Sequence, residues 1–258
     1  MHEQALSGGR FADPAGDGDT VTRRAGPGAA NIHALLDHLA AGGFTLAPRV
    51  LGTPGGGQER LSFLPGTAGH PPLAAAIRSD KAVRSAARAV RQLHDAAEGF
   101  TPPAPGRWDR QEVTVPAEID CIGHGDLARW NLIFDGDQVT DVIDSDFAGP
   151  SNRAWDLSYL AHQLVPFHPT GVLAGFGWDT EPDRARRLRI LATAYDPGLR
   201  PELLADDAPI RLLGMAAHIE TQILAGNPAF AVHRDHHFAA GYRAATAFIL
   251  THRDRLLG

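Results

Sequence analysis

The sequence predicts an α+β protein of two lobes: a small, shortened mixed N-terminal lobe and a larger, mainly helical C-terminal lobe. Three observations predict it. Short extended segments and Gly-rich turns crowd residues 1–66. Helical apolar periodicity dominates beyond Asn152. Between them, residues 119–147 carry short strand patterns broken by turn chemistry. With 258 residues, 43% hydrophobic and 21% charged, the chain has an ordinary globular composition and can bury a sizeable core.

In chain order, Thr20–Arg24 alternates as a strand does, and Gly26-Pro27-Gly28 ends it. Ile32, Leu35, Leu36 and Leu39 recur at helical spacing and predict a helix over 29–41, stopped by Gly42-Gly43. Residues 48–51 and 60–64 are further short strands, split by Gly55-Gly56-Gly57, and the lobe boundary falls at Pro65-Gly66. Residues 72–98 are helical through Ile77, Val83, Ala86, Val90 and Leu93. The Pro-rich stretch 101–116 is a connector. Helices are expected at 155–165, 184–195, 209–224 and 236–257.

Composition narrows the functional classes. The net charge of −6 argues against a nucleic-acid binder, which usually carries a basic stripe. No apolar run approaches the ~18 residues a membrane helix needs, and Met1-His2-Glu3-Gln4 opens no signal-peptide pattern. The single cysteine, Cys121, excludes an internal disulfide framework and a multi-cysteine zinc site, and reads as a small buried hydrophobe. A cytoplasmic protein with no membrane partner is expected.

The chemistry concentrates in His124-Gly-Asp126-Leu-Ala-Arg129-Trp-Asn131 and the later Ile143-Asp144-Ser-Asp146. Asn131 opens one apolar run, residues 135–138 are a turn, and a second run ends at Asp144, so the segment is a hairpin. Asn131 and Asp144 then fall roughly opposite at its open end. An amide oxygen converging with a carboxylate makes a hard, oxygen-only site suited to Mg²⁺. Asp126, in the loop leading in, can accept a proton from a substrate hydroxyl as that oxygen attacks phosphorus.

His124-Gly-Asp126-x4-Asn131, then Ile143-Asp144-x-Asp146-x-Ala148-Gly149-Pro150 and Trp155-Asp156-Leu157, resembles the aminoglycoside phosphotransferase and choline kinase-like family, of protein-kinase-like fold. The likeness is strong over about 118–165 and softer at Leu61–Gly66, which looks like the family's hinge strand, and at Leu93-His94-Asp95. The resemblance implies that 1–66 is a nucleotide-binding lobe and hinge, 67–165 a catalytic core and 166–258 a helical substrate subdomain. It implies Asp126 as catalytic base, with Asn131 and Asp144 as Mg²⁺ ligands. His124 and Asp156 would brace the loop, and backbone near Phe63 and Leu64 would meet a purine. Asp146 is a second metal ligand or a hydrogen-bond partner of the loop, and Arg129 a group that steadies the phosphoryl.

Two departures stand out. Ser7-Gly8-Gly9 is at most a reduced phosphate loop. The strand lysine and its helical glutamate partner are missing, since the sole lysine, Lys81, belongs to a later helix. Arg23 or Arg24 is the available cation, and His33 a loose substitute for the glutamate. The leading expectation is transfer of the γ-phosphoryl group of ATP or GTP to a hydroxyl of an amino sugar, amino alcohol or related metabolite. Glu181, Asp183, Glu220 and Asp235 are candidates for an acidic pocket that would suit a cationic acceptor. His233, His236 and His237 read as a solvated turn. An inactive kinase-like binding module and a metal-dependent phosphohydrolase built on Asp126, Asp144 and Asp146 are the alternatives.

Overall fold

The protein is described by a computed structural model covering residues 4–5, 15–104 and 108–258. Strands β1 (Gln4–Ala5), β2 (Ala15–Asp17), β3 (Thr20–Arg24), β4 (Val50–Gly55) and β5 (Gln58–Ser62) form an antiparallel sheet in the order β1-β2-β3-β5-β4. Helix α1 (Ala29–Ala41) covers this sheet and buries Ile32, Leu35, Leu36 and Leu39, the spacing that predicts it. Pairing of β3 with β5 sets Arg23 directly opposite Glu59, so the two side chains share one face.

Past β6 (Thr67–Ala68), the predicted helix of 72–98 begins only at α2 (Asp80–Ala96). Two prolines precede it, and Ser79 supplies the cap: its Oγ accepts from Ala82 N at 3.1 Å, satisfying a donor the helix itself leaves open. Then come β7 (Cys121–Gly123), the hairpin β8 (Leu132–Asp135) and β9 (Gln138–Val142), and β10 (Gly149–Ser151), which pairs with β7. In the hairpin Leu132 faces Val142, and a bulge follows Ile133. Asn131 is therefore level with Ile143, one residue short of the expected Asp144.

The rest is helical: α3 (Arg153–Leu164), α4 (Arg184–Tyr195), α5 (Pro201–Leu224), α6 (Ala231–Asp235) and α7 (Phe238–Leu257). Every residue of α3 from Ala154 to Leu164 is buried, so α3 is the axis of the lobe. Helix α5 starts earlier than the predicted Pro209. Leu204, Ala205, Ala208, Leu212 and Met215 make one buried stripe, and its burial outweighs the ~3 kcal/mol that an interior proline costs.

Candidate active site

The loop from β7 to β8 is held from behind by α3. Asp156, wholly buried in the first turn of α3, accepts from His124 N at 2.8 Å, Gly125 N at 3.0 Å and His94 Nε2 at 3.1 Å. Burial disfavours its charge, but the His94 bond and the nearby Arg211 prevail and hold the carboxyl well below the usual carboxylate range. Arg211 of α5 donates to Gly125 O at 2.6 Å and Trp155 O at 2.8 Å, closing the loop from a third element. Gly125 has φ +79°, and a Cβ there would lie 1.9 Å from the Phe147 carbonyl, so only glycine lets the loop pass.

His124 Nε2 donates to Ile143 O at 2.9 Å, and its Nδ1 accepts from Asp126 N at 3.3 Å. That bonding needs a neutral ring, and burial lowers the His124 pKa accordingly. His124 thus ties the loop to the segment carrying Asp144. Asn131 Nδ2 donates to both the carbonyl and the carboxylate Oδ2 of Asp126, each at 2.9 Å. Asp126 Oδ1 is buried with no partner at full hydrogen-bond geometry, while the Gln111 amide is near enough to favour the charged carboxylate. Burial, followed by the charge of Asp144, pushes the Asp126 carboxyl up to about 7.

Arg23 reaches this site from β3. Its Nε donates to Glu59 at 2.7 Å, one terminal nitrogen to Asp144 at 2.9 Å and the other to Asp146. His33 of α1 binds the second Glu59 oxygen. The glutamate sought on the helix is therefore on the neighbouring strand, with His33 behind it. Burial, opposed by Arg23 and reinforced by Asp144, raises the Asp146 carboxyl to about 6. Asp144 holds φ +64°, which turns its carboxylate toward the shared cation. Since one guanidinium spans Asp144 and Asp146, their oxygens converge closely enough to share a cation. With the amide oxygen of Asn131, they fit the oxygen chemistry of Mg²⁺.

The remaining predicted residues are scattered. Arg24 is solvent-exposed. Phe63 and Leu64 follow β5, and Phe63 N–H is already donated to Asp19 O at 2.8 Å. Arg129 binds Gln163 and lies against Trp130 and Phe176; no described contact joins it to Asp144 or Asp146. Ser7-Gly8-Gly9 lies outside the described residues. The acidic pocket is not assembled: Glu181 pairs with Arg184 and Arg255, Glu220 with Arg243 and Asp235 with Arg234, while Asp183 caps α4. Among the described residues no group of three or more His, Cys, Asp or Glu could hold a metal.

Sequence reasoning missed Glu59 and Arg211. Arg211 had a legible signal, because it falls on the apolar stripe of α5, where an arginine needs a buried partner. Glu59 had none, lying in a short polar strand. No helix among the described residues is long and apolar enough to cross a membrane.

The model of the phosphotransferase enzyme family matches residues 10–120 and 108–187. The trifolitoxin immunity protein of Rhizobium leguminosarum bv. trifolii is 30% identical over 196 residues, 75% of this chain and 74% of that one. A choline/ethanolamine kinase family protein from Mesorhizobium loti superposes with a TM-score of 0.68 at 18% identity, covering 100% of this chain and 91% of that one. An aminoglycoside phosphotransferase from Streptomyces rimosus, in complex with ADP and streptomycin, superposes at 0.51 and 18% identity, covering 78% and 88%. These likenesses show the protein-kinase-like fold.

Proposed function

Because this chain belongs to the phosphotransferase enzyme family, we propose that it moves the γ-phosphoryl group of ATP or GTP to a hydroxyl of a small molecule. The observation that carries the reading is Asp126: a buried carboxylate with one oxygen oriented by Asn131 and the other with no partner at full hydrogen-bond geometry, beside a carboxylate pair that gathers positive charge. The second oxygen takes the proton of the acceptor hydroxyl. The hydroxyl oxygen forms a bond to the γ-phosphorus, the bridging bond to the β-phosphate breaks, and the nucleoside diphosphate leaves with those electrons. Arg23 faces the phosphates from β3, and backbone beyond β5 near Phe63 and Leu64 meets the purine. Asn131 and Asp144 would hold Mg²⁺, with Asp146 beside them; when bound, the ion neutralises charge developing on the phosphates. His124, Asp156 and Arg211 keep the loop rigid.

The test is thermal unfolding of the wild type and of Asp144→Ala with MgATP and with MgGTP. A native-state ligand raises the midpoint by mass action. A rise that Asp144→Ala loses is expected; no rise with either nucleotide would overturn the reading. That outcome would favour a binding module instead. Two observations support this second reading: a relative named as an immunity protein, and an arginine tied to three carboxylates where the resemblance expects a lysine.

A further inference from the structure

Four arginine residues among the described residues have less than a tenth of their surface exposed, and three of them have a carboxylate within ion-pair distance. Arg184 meets Glu181, Arg187 meets Asp80 at 3.1 Å, and Arg211 meets Asp156 at 3.5 Å. Arg129, only 4% exposed, has none. Its one side-chain partner is the neutral Gln163, its Nε is unpartnered, and its guanidinium lies 5.1 Å from the Trp130 ring centre and 4.7 Å from that of Phe176. Burying a cation without an anion is costly, and chains do it where a ligand brings the anion. Burial alone is enough to pull this guanidinium down to about 10.

The surroundings point the same way. His162 Nδ1 and His168 Nε2 are also buried without partners, and their rings are 4.2 Å apart. Burial, with Arg129 nearby, drives His162 down to about 3, and burial lowers His168 as well, so both rings are neutral; the His162 ring gives its one N–H to the Phe167 backbone, and His168 is the ring that can offer an N–H. Phe176 packs on His168 as well as on Arg129, so the side chains that carry the three unpartnered nitrogens form one packed cluster. Trp130, Phe176 and Tyr242, which touch this cluster, are half-buried. Tyr159 and Tyr242, joined through their hydroxyls at 2.9 Å, flank the His162 ring at 5.7 and 5.9 Å, and the charge of Asp126 is felt at both phenols. Arg129 follows Asp126 by three residues, so their backbones are at most about 10 Å apart.

We propose that Arg129, with His168, receives an oxyanion on the phosphate acceptor, a carboxylate or a phosphate a few bonds from the hydroxyl that meets Asp126. The acceptor is then a compact hydroxy acid or phosphorylated alcohol rather than an amino sugar or amino alcohol. This rests on the transferase reading for the role of Asp126. Of the acidic residues of the helical lobe, Glu181, Glu220 and Asp235 are each already paired with an arginine.

The test uses one three-carbon diol with different ends: glycerate, glycerol phosphate, glycerol and aminopropanediol. Each is titrated at constant ionic strength without nucleotide or metal, with the unfolding midpoint as readout, so failure of the transferase reading leaves it unaffected. At least one anion is expected to raise the midpoint saturably, with an affinity at least about tenfold above glycerol and aminopropanediol. A response to glycerate alone assigns a carboxylate, and to glycerol phosphate alone a phosphate. Arg129→Gln should abolish the response. Since Arg129 is buried, Gln163→Glu is the second variant: it hands the guanidinium an internal carboxylate, and should raise the basal midpoint while cutting anion affinity at least about tenfold. Absence of any anion response, a preference for aminopropanediol, or an anion response that survives Gln163→Glu overturns the proposal.

Discussion

Arg23 and Glu59 stand opposite each other on β3 and β5, joined at 2.7 Å, and the same guanidinium reaches Asp144 at 2.9 Å. Glu59 is 2% exposed and His33 binds its other oxygen, so this pair links the strand lobe to the carboxylates of the catalytic segment. Glu59→Gln leaves a buried cation short of one anion and should destabilise the protein by about 3 kcal/mol in urea unfolding. The midpoint rise with MgATP should shrink with it, because Arg23 then loses its anchor on β5 and is held only by Asp144 and Asp146. An unchanged rise would show that Arg23 is positioned without Glu59.

Asp126 carries two opposed demands. Its carboxyl titrates at about 7 in the folded protein, against about 4 in an unfolded chain. The folded state therefore binds more protons between those values. This group's stabilisation is complete below pH ~4 and is lost as pH rises through ~7. Asp126→Asn has no such loss, so in metal-free protein its stability relative to wild type should climb from pH 4 to pH 7 by a few kcal/mol and then level off. The same substitution should cost on the order of 10²–10⁴ in turnover while leaving the MgATP response nearly intact.

Asp156 titrates in the opposite sense. Its folded carboxyl lies below the ordinary range, so its stabilisation is present above the unfolded value near 4 and is lost as pH falls through the folded one. Asp156→Asn should cost about 3 kcal/mol at pH 7, and the gap to wild type should close in acid as the wild-type carboxylate protonates. A gap that persists undiminished at pH 2 would mean that shape rather than charge braces the loop.

Gly125 and Gly136 separate conformation from crowding. Both hold positive φ, +79° and +60°, but a Cβ at Gly125 would strike the Phe147 carbonyl, while one at Gly136 meets nothing within 4 Å. Gly136→Ala should therefore cost only the backbone penalty of about 1 kcal/mol, whereas Gly125→Ala should cost about 3 kcal/mol or more and stop transfer. Chemical denaturation of the two variants side by side checks this.

The sequence by itself determined what lies within one element or one loop. The stripe Ile32, Leu35, Leu36, Leu39 is a helix because 3.6-residue periodicity is local. Asp126 meets Asn131 because five residues of loop hold them together. Tertiary structure decided the partners. Which carboxylate faces Arg23 depends on strand pairing across 36 residues, and which arginine closes on Gly125 depends on how α5 packs against α3, 86 residues away. The hairpin bulge that moved Asn131 level with Ile143 comes from backbone hydrogen bonding, to which side-chain patterns are blind. The fate of Arg129 was undecided for the same reason: an arginine's type tells that it needs an anion, but only packing shows that the described residues supply it none.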